Sequence, residues 1–417
     1  AVPPFEHDAV TGHFRRRLVA TLRAHRGVAI VDVNADTVER EGIVDGPPRR
    51  PAPTPTAPES HDFPAAAYRA CFTGDQAAAV GALESLSDDG RAAVLEADRG
   101  RGKSSAAGLA AASLALEGKD VLVTAPAYRN AAELFARAVE LLDGMGELAD
   151  RDSEEGPCLE ATETGRIRFQ KPTKATELPD DPDRVIVDEA AALPVRVLEA
   201  FLDAPGVVYA TTVHGYEGAG RGFSVRFRER LRESDHEVTD VHLDTPIRYA
   251  PGDPVEVWSF RALALDARPA VDPLVADATP ASVDYRRLDP ADLVADENLL
   301  REAFGLLVVA HYRTEPNDLA RLLDAPNVSV RALVADGHVV SVALLAREGD
   351  LSAAHRAQMY EGGPIAGNMI PDVLTAQLCD ESAGESVGYR VLRIATHHAA
   401  RSRGLGSHLL DRIRDEV

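Results

Sequence analysis

Lysine is almost missing from this chain. It stands only at positions 103, 119, 171 and 174, so arginine supplies nearly all of the 45 basic residues set against 67 acidic ones, and the formal charge is -22. Few lysines together with many Asp, Glu and Ala are the composition of a salt-adapted proteome. At molar salt the Debye length is about 3 Å, so this acidity does not exclude an RNA partner. Local arginine patches, stacking and hydrogen bonds then carry the affinity that counterion release loses. Cysteine is scarce as well: Cys71, Cys158 and Cys379 are odd in number, far apart and without CxxC or His partners at metal spacing. That excludes a disulfide framework or a zinc site and fits a reducing cytoplasm. No apolar run approaches the roughly 18 residues of a membrane span; the longest candidate is the Ala-rich stretch from Ala106 to Leu116. Internal repeats are missing too. The opening "AVPPFEHDAVTGHFRRR" lacks both an initiating Met and the charged-then-apolar order of a signal peptide, and is expected to be a clipped N-terminus.

What is present suits several domains: 417 residues and 44.6 kDa exceed what one core organises. Residues 13 to 33 read as an amphipathic helix and a short apolar strand, a remnant of an α/β domain assigned to 1–46. The Pro-rich "DGPPRRPAPTPTAPESHDFP" follows, and 47–64 is an expected linker. From about 70 to 215 the strand-like runs "AAVLEA", "DVLVTAP", "RVIVDEA" and "GVVYATTV" alternate with Ala/Leu-rich helices, which implies right-handed crossovers and a parallel sheet. Residues 154 to 183 read as an irregular loop with a short strand, and 65–284 as one ATPase domain. After 285 the character changes. Two helical stretches precede "VRALVADGHVVSVALLAREG", where Asp336-Gly337 between alternating apolar runs signals a hairpin. A long polar stretch, the strand "GYRVLRIAT" and a Gly-rich turn into a final helix complete an expected second domain over 285–417.

"ADRGRGKSS" sits between a strand ending at Ala97 and a helix beginning near Lys103. Backbone N–H groups of Gly100, Arg101, Gly102, Lys103 and Ser104 are then free to wrap phosphate oxygens, Lys103 to reach the outer phosphates and Ser104 to hold magnesium. The loop departs from the G-x-x-x-x-G-K-[ST] pattern only in carrying Ala97 for the first glycine. In "RVIVDEAA", Asp188 is placed to bind magnesium through water and Glu189 to polarise the attacking water. Together these predict an ATPase. Gln76 stands where helicase-type ATPases carry the glutamine that reads adenine, the alternative being a solvated helix-start residue. "YATTVHGYEGAGRGF" puts Thr211 and Thr212 at a strand end, in the position of the element coupling nucleotide to nucleic acid. Arg248 in "DTPIRYAPGDPVE" either reaches the outer phosphates or makes a surface ion pair.

"ARSRGLG" aims a second set of N–H groups from a helix N-terminus, suited to a pyrophosphate. With the hairpin and the strand "RVLRIAT" before it, this resembles the acetyl-CoA site of the GCN5-related acetyltransferase (GNAT) fold, in which a strand pairs with pantetheine. The expected fold class is therefore α/β: a RecA-like P-loop ATPase with a parallel sheet, followed by a GNAT-type α/β domain. Cys379, with no base adjacent in sequence, reads as structural.

Taken in order, "DRGRGKS", "VDEAA", "TTVHGYEGAGRGF", "PIRYAPGDPVEVW", "AHYRTEPNDLARLLDAPN" and "RIATHHAARSRGLG" resemble the tRNA(Met) cytidine acetyltransferase family in an archaeal, halophilic form. The resemblance implies acetyl transfer from acetyl-CoA to the N4 amine of cytidine in RNA, chiefly the wobble position of elongator tRNA(Met), driven by ATP hydrolysis with magnesium. RNA rather than DNA or a membrane is the implied partner. It further implies ATP contacts from Gln76, Gly100 through Ser105 and Arg248, with Asp188 and Glu189 serving hydrolysis. Ile394, Ala395 and Thr396 would line pantetheine, and Arg401, Ser402, Arg403, Gly404, Leu405, Gly406 and Ser407 the pyrophosphate. The family often reads R-I-A-V-H-P where this chain has Thr396 and His398. His397 keeps the family's histidine, either assisting deprotonation of the cytidine amine or ordering the turn. The family also implies more sequence before residue 1 and after Val417. The rival reading is an RNA-dependent ATPase that remodels ribonucleoprotein and whose second domain acetylates protein lysines or is inactive; a third is a nucleotide-gated binding module without chemistry.

Overall fold

A computed structural model describes residues 11–42, 55–153, 156–161, 165–212, 227–310 and 316–417. The chain divides into two compact units, Val44–Asp253 and a second one made of Ala1–Ile43 together with Pro254–Val417. This differs from the sequence expectation in two places. By contacts the N-terminal segment groups with the C-terminal unit, and so do residues 254–284, which the sequence expectation placed with the ATPase.

Side-chain contacts explain the regrouping. The helix His13–Ala24 is capped from outside: Asp324 Oδ1 accepts from the Thr11 hydroxyl at 2.8 Å, the His13 N–H at 2.6 Å and the Phe14 N–H at 3.2 Å. Arg17 is buried, donates to Glu297 Oε1 at 3.0 Å and to the Arg261 carbonyl at 2.6 Å. Trp258 Nε1 donates to Thr21 Oγ1 at 3.2 Å. Beyond that helix, β1 (Ile30–Asp32) and β2 (Thr37–Arg40) form an antiparallel ribbon. Farther along, Ala270, Val275 and Ala278 sit in one apolar core with Leu333, Val340, Leu405 and Leu409. A lone helix with a buried arginine has no stable home until these partners cover it.

The Val44–Asp253 unit holds an eight-stranded sheet. Its strands are β3 (Arg91–Ala97), β4 (Asp120–Thr124), β5 (Asp150–Ser153), β6 (Gly156–Glu160), β7 (Arg166–Phe169), β8 (Arg184–Val187), β9 (Gly206–Thr212) and β10 (Glu237–Leu243), in the spatial order β10-β3-β9-β8-β4-β7-β6-β5. The first six in that order run parallel, and β6 and β5 add on antiparallel. β4, β8 and β9 are buried along their whole length, as near-continuous apolar runs covered on both faces must be. Helices Gly74–Leu83, Lys103–Leu116 and Tyr128–Met145 cover one face, and Leu198, Phe201, Phe227 and Leu231 pack on the other. The region expected as a loop with one short strand thus supplies two, β6 and β7, with β5 just before it, and β10 is an edge strand the periodicity did not single out.

In the second unit β11 (Asp284–Leu288), β12 (Val328–Ala335), β13 (His338–Gly349) and β14 (Val387–Thr396) form an antiparallel sheet in that order. The expected hairpin turn is there: Asp336 and Gly337 both have positive φ, 49° and 88°, the geometry of a two-residue turn that matches strand twist. β14 carries a bulge, since Arg393 faces Leu344 while Val391 faces Leu345, leaving Leu392 unpaired. The polar stretch between β13 and β14 contains helices Ala353–Tyr360 and Met369–Leu378. The final helix Leu405–Glu416 buries Leu405, Leu409 and Ile413 against the sheet. Among the described residues, no helix is long and apolar enough to cross a membrane.

Candidate functional site

Interposing β9 between β3 and β8 decides which loops meet: the Gly-rich loop leaves β3 and the acidic pair leaves β8, both at the C-terminal edge of the sheet. The loop enters the helix Lys103–Leu116 through Gly102, whose φ is 90°. Only glycine fits there, because a Cβ would lie 2.0 Å from Gln76 Nε2 and 2.6 Å from Ile247 Cδ1.

Those two neighbours tie the loop down. Gln76 is fully buried; its Nε2 donates to the Gly102 carbonyl at 3.2 Å and its Oε1 accepts from the Phe72 N–H at 2.7 Å. Both ends of the amide are therefore engaged by backbone, so the residue is not a solvated helix start. Its visible work is to hold the phosphate loop. On the other flank, the Ile247 N–H donates to the Gly100 carbonyl at 3.1 Å, and Arg101 donates to the Tyr249 hydroxyl at 3.2 Å. Asp75 anchors the same segment by accepting from the N–H groups of Asp244 at 3.0 Å and Thr245 at 2.7 Å. Burial pushes the Asp75 carboxyl up, but these bonds outweigh it and hold the group below its usual range. Arg248 is exposed beside Ile247, next to the loop that Ile247 touches, and makes no ion pair among the described residues.

Asp188 is fully buried, and burial pushes its carboxyl up to about 6 against the pull of the Lys103 ammonium, with Glu189 adding to the rise. Its Oδ1 accepts from the Glu189 N–H at 2.9 Å, whereas Oδ2 is buried with no hydrogen-bond partner among the described residues. The Ser104 hydroxyl lies near enough to this carboxylate to work against the rise. An orphaned buried carboxylate oxygen beside a hydroxyl is a fitting pair of hard donors for magnesium. Glu189 follows with a left-handed backbone, φ 51°, a conformation costly for a side-chain-bearing residue and typical of functional turns. Its two oxygens are divided: Oε1 lies 3.0 Å from Lys103 Nζ, and Oε2 accepts from the Thr212 hydroxyl at 3.2 Å.

In the second unit β14 runs into the other Gly-rich turn. The His397 N–H donates to the Val340 carbonyl at 2.8 Å and Ser341 donates to the Ala395 carbonyl at 2.9 Å, so the polar backbone groups of Ala395 and His397 face β13. By the pleat, those of Ile394 and Thr396 point to the opposite edge, where β14 has no strand neighbour among the described residues. An extended pantetheine arm needs such an edge. Thr396 keeps its hydroxyl 2.9 Å from Ser341 Oγ, which gives the residue expected to be valine a partner. Gly404, with φ 78°, opens the helix Leu405–Glu416. Arg401, Ser402, Arg403 and Ser407 stand exposed around that N-terminus, Gly406 is half-buried and Leu405 points into the core.

His397 is not placed as a base. It is fully buried, Nε2 donates to the Ala270 carbonyl at 2.7 Å, and Nδ1 accepts from the Ala399 N–H at 3.3 Å. Burial, with His398 adding to it, holds its imidazole below the usual range. His398 stacks on it at 4.6 Å and pairs with Asp272 at 2.8 Å. Of the two roles open to His397, this geometry serves the ordering of the turn.

Sequence reasoning missed Ile247, Tyr249, Ser341 and Ala270, each a contact between distant stretches with no local signature. The stretch 213–223 and the stretch 311–315 of the quoted motifs lie outside the described residues.

Family models match both units. Residues 94–266 match the RNA cytidine acetyltransferase NAT10/TcmA helicase domain, and residues 302–416 match GNAT acetyltransferase 2. The tRNA(Met) cytidine acetyltransferase TmcA of Haloarcula marismortui is 65% identical over 417 residues, covering 100% of this chain and 54% of that protein. The Haloferax volcanii relative of the same name is 63% identical over 418 residues, covering 100% and 55%. That of Nitrosococcus halophilus is 40% identical over 420 residues, covering 99% and 54%. The chain thus spans about half the length of each of these relatives.

Proposed function

Because the chain belongs to the tRNA(Met) cytidine acetyltransferase family, we propose that it acts as an ATP-dependent RNA cytidine N4-acetyltransferase. It transfers acetyl from acetyl-CoA to the wobble cytidine of elongator tRNA(Met), with other RNA cytidines as further targets, in the cytoplasm. The observation carrying this reading is that two strands, β3 and β14, each end in a turn whose positive-φ glycine opens a helix, Gly102 and Gly404. Each helix head turns N–H groups toward a phosphate-bearing ligand.

In the nucleotide unit Lys103 and the N–H groups of Gly100 through Ser105 hold the phosphates, Arg248 approaches from the side, and Gln76 keeps Gly102 in register. Magnesium held by Ser104 and Asp188 would neutralise developing charge on the phosphates. Glu189 orients water. In the second unit the free edge at Ile394–Thr396 aligns the pantetheine arm, and the Gly404–Ser407 helix head with Arg401 and Arg403 receives the pyrophosphate. The cytidine amine is a weak nucleophile, its lone pair delocalised into the ring, so proximity to the thioester and polarisation of its carbonyl by a backbone N–H do most of the work. The C–N bond forms as the C–S bond breaks, and one amine proton ends on the coenzyme thiol. Hydrolysis of ATP remodels the RNA so that a paired or stacked cytidine reaches that thioester.

Nucleoside mass spectrometry of tRNA(Met) incubated with the full-length protein, acetyl-CoA and ATP tests the reading. N4-acetylcytidine that depends on ATP supports it. Labelled acetyl groups on protein lysines, with none on RNA, establish the rival remodelling factor instead.

A further inference from the structure

Ser341 is fully buried on β13, in register with Thr396 at the end of β14. Leu333 opposite it on β12 and Ala343 two residues on belong to an apolar core, and a hydroxyl in such surroundings costs stability unless it is bonded. It is bonded twice. Ser341 Oγ donates to the Ala395 carbonyl at 2.9 Å. A hydroxyl has one proton, so toward the Thr396 hydroxyl, also at 2.9 Å, Ser341 is the acceptor and Thr396 the donor. The Thr396 oxygen borders the final helix as well, because a Cβ added to Gly406 would lie 3.4 Å from it. One hydroxyl thus stands between the strand end and the helix head. Both ladders are irregular at this place. On the β12 side Leu333 faces Ser341 while Val334 faces Val339, which leaves Val340 out of register. On the β14 side the bulge at Leu392 separates Arg393–Thr396 from the lower part of the strand. A bulge interrupts the ladder and bends the strand, so the end of β14 needs a tie of its own.

Resting on the acetyltransferase reading above, we propose that Ser341 is a positioning residue for acetyl-CoA, acting through Thr396. In that reading the coenzyme is held at two places, the free edge at Ile394–Thr396 and the helix head at Gly404–Ser407. A ligand joined in two parts gains from its second contact only when both sites are spaced to fit it. The hydroxyl chain from Thr396 through Ser341 to the Ala395 carbonyl sets that spacing, pinning the strand end to β13 while the same Thr396 oxygen rests against Gly406. Removing the Ser341 hydroxyl leaves each half-site able to take its own part of the coenzyme and removes their register.

Acetyl transfer to RNA by the full-length protein, from acetyl-CoA and from S-acetyl-pantetheine, which lacks the pyrophosphate, tests this. Ser341→Ala should raise KM for acetyl-CoA about five- to tenfold, the worth of one hydrogen bond, with kcat changed less than about twofold. The same variant should use acetyl-pantetheine within about twofold of the parent, because a one-part donor has no second contact to lose. Thr396→Ser keeps the hydroxyl and should stay within about twofold of the parent for both donors. If Ser341→Ala fails to fold, Ser341→Cys, close in size and a weak donor, takes its place in the same comparison. Where turnover of acetyl-pantetheine by the parent is too slow to follow, the inhibition constants of CoA and pantetheine against acetyl-CoA supply the same ratio. An unchanged KM for acetyl-CoA overturns the assignment, and so does an equal loss with both donors, which would make Ser341 a packing residue only. A parent protein that takes no acetyl group from acetyl-CoA overturns the acetyltransferase reading itself, which is a separate failure.

Discussion

Lys103 Nζ and Glu189 Oε1 lie 3.0 Å apart, an ion pair between the end of the phosphate loop and the turn after β8. It joins the two residues expected to serve phosphate and water respectively. Lys103→Ala should therefore lose ATP hydrolysis by at least about 100-fold, the effect of deleting one preorganised charge donor. Glu189→Gln should lose comparable turnover while still binding nucleotide. Phosphate release and binding of a fluorescent ATP analogue separate the two: loss of binding in Glu189→Gln would contradict the division of roles.

The phosphate loop depends on a buried amide. Gln76→Ala strips partners from the Gly102 carbonyl and the Phe72 N–H. The expected cost is about 1–3 kcal/mol of unit stability and weaker ATP binding. Gln76→Glu keeps the shape and the acceptor but loses the donor, so it should weaken binding more than it lowers the melting temperature. Thermal unfolding read beside ATP affinity decides this, and a Gln76→Ala protein with intact affinity would refute it.

Substituting the N-terminus of the final helix should act on one ligand only. Gly404 has φ 78°, so Gly404→Val strains the turn. It should raise KM for acetyl-CoA about tenfold or more while leaving ATP hydrolysis within about twofold. Equal losses in both reactions would mean that the turn is not a coenzyme site.

Acid should loosen the turn that follows β14. His397 is held neutral by burial, its folded pKa below the ordinary histidine value. A depressed folded value means that its contribution is present above the unfolded pKa of about 6.5 and is lost as pH falls below it. Melting temperature should thus drop between about pH 7.5 and 5.5 in high salt. His397→Gln should be less stable at the upper pH yet show a flatter profile. If that variant instead melts like the parent and loses only acetyl transfer, His397 is a base after all.

The legible parts of this chain were those where one short stretch contains its own reason. In "AAVLEADRGRGKSSAAGLA" an apolar strand, glycines and a small-residue helix follow one another within a few residues. Asp336-Gly337 announced its turn for the same reason. What stayed hidden joins distant stretches. Nothing near Gly102 points to Gln76, 26 residues earlier, nor anything near Arg101 to Tyr249, 148 residues later. Of β5 to β7 only one short strand was expected, because their sequences are short and charged, without the clean alternation of a half-buried strand. His397 shows the opposite error: a histidine in a functional turn invites a chemical role, whereas its two ring nitrogens are engaged with Ala270 and Ala399.

The cap that Asp324 provides for the helix His13–Ala24 sets an order of events during synthesis. Residues 13 to 24 leave the ribosome ahead of Glu297 and Asp324, which are made only after the whole nucleotide-loop unit has emerged. Domains fold as they appear, so the parallel sheet closes while the first helix still waits, its arginine unburied. A helix made ahead of the parallel sheet settles only after it.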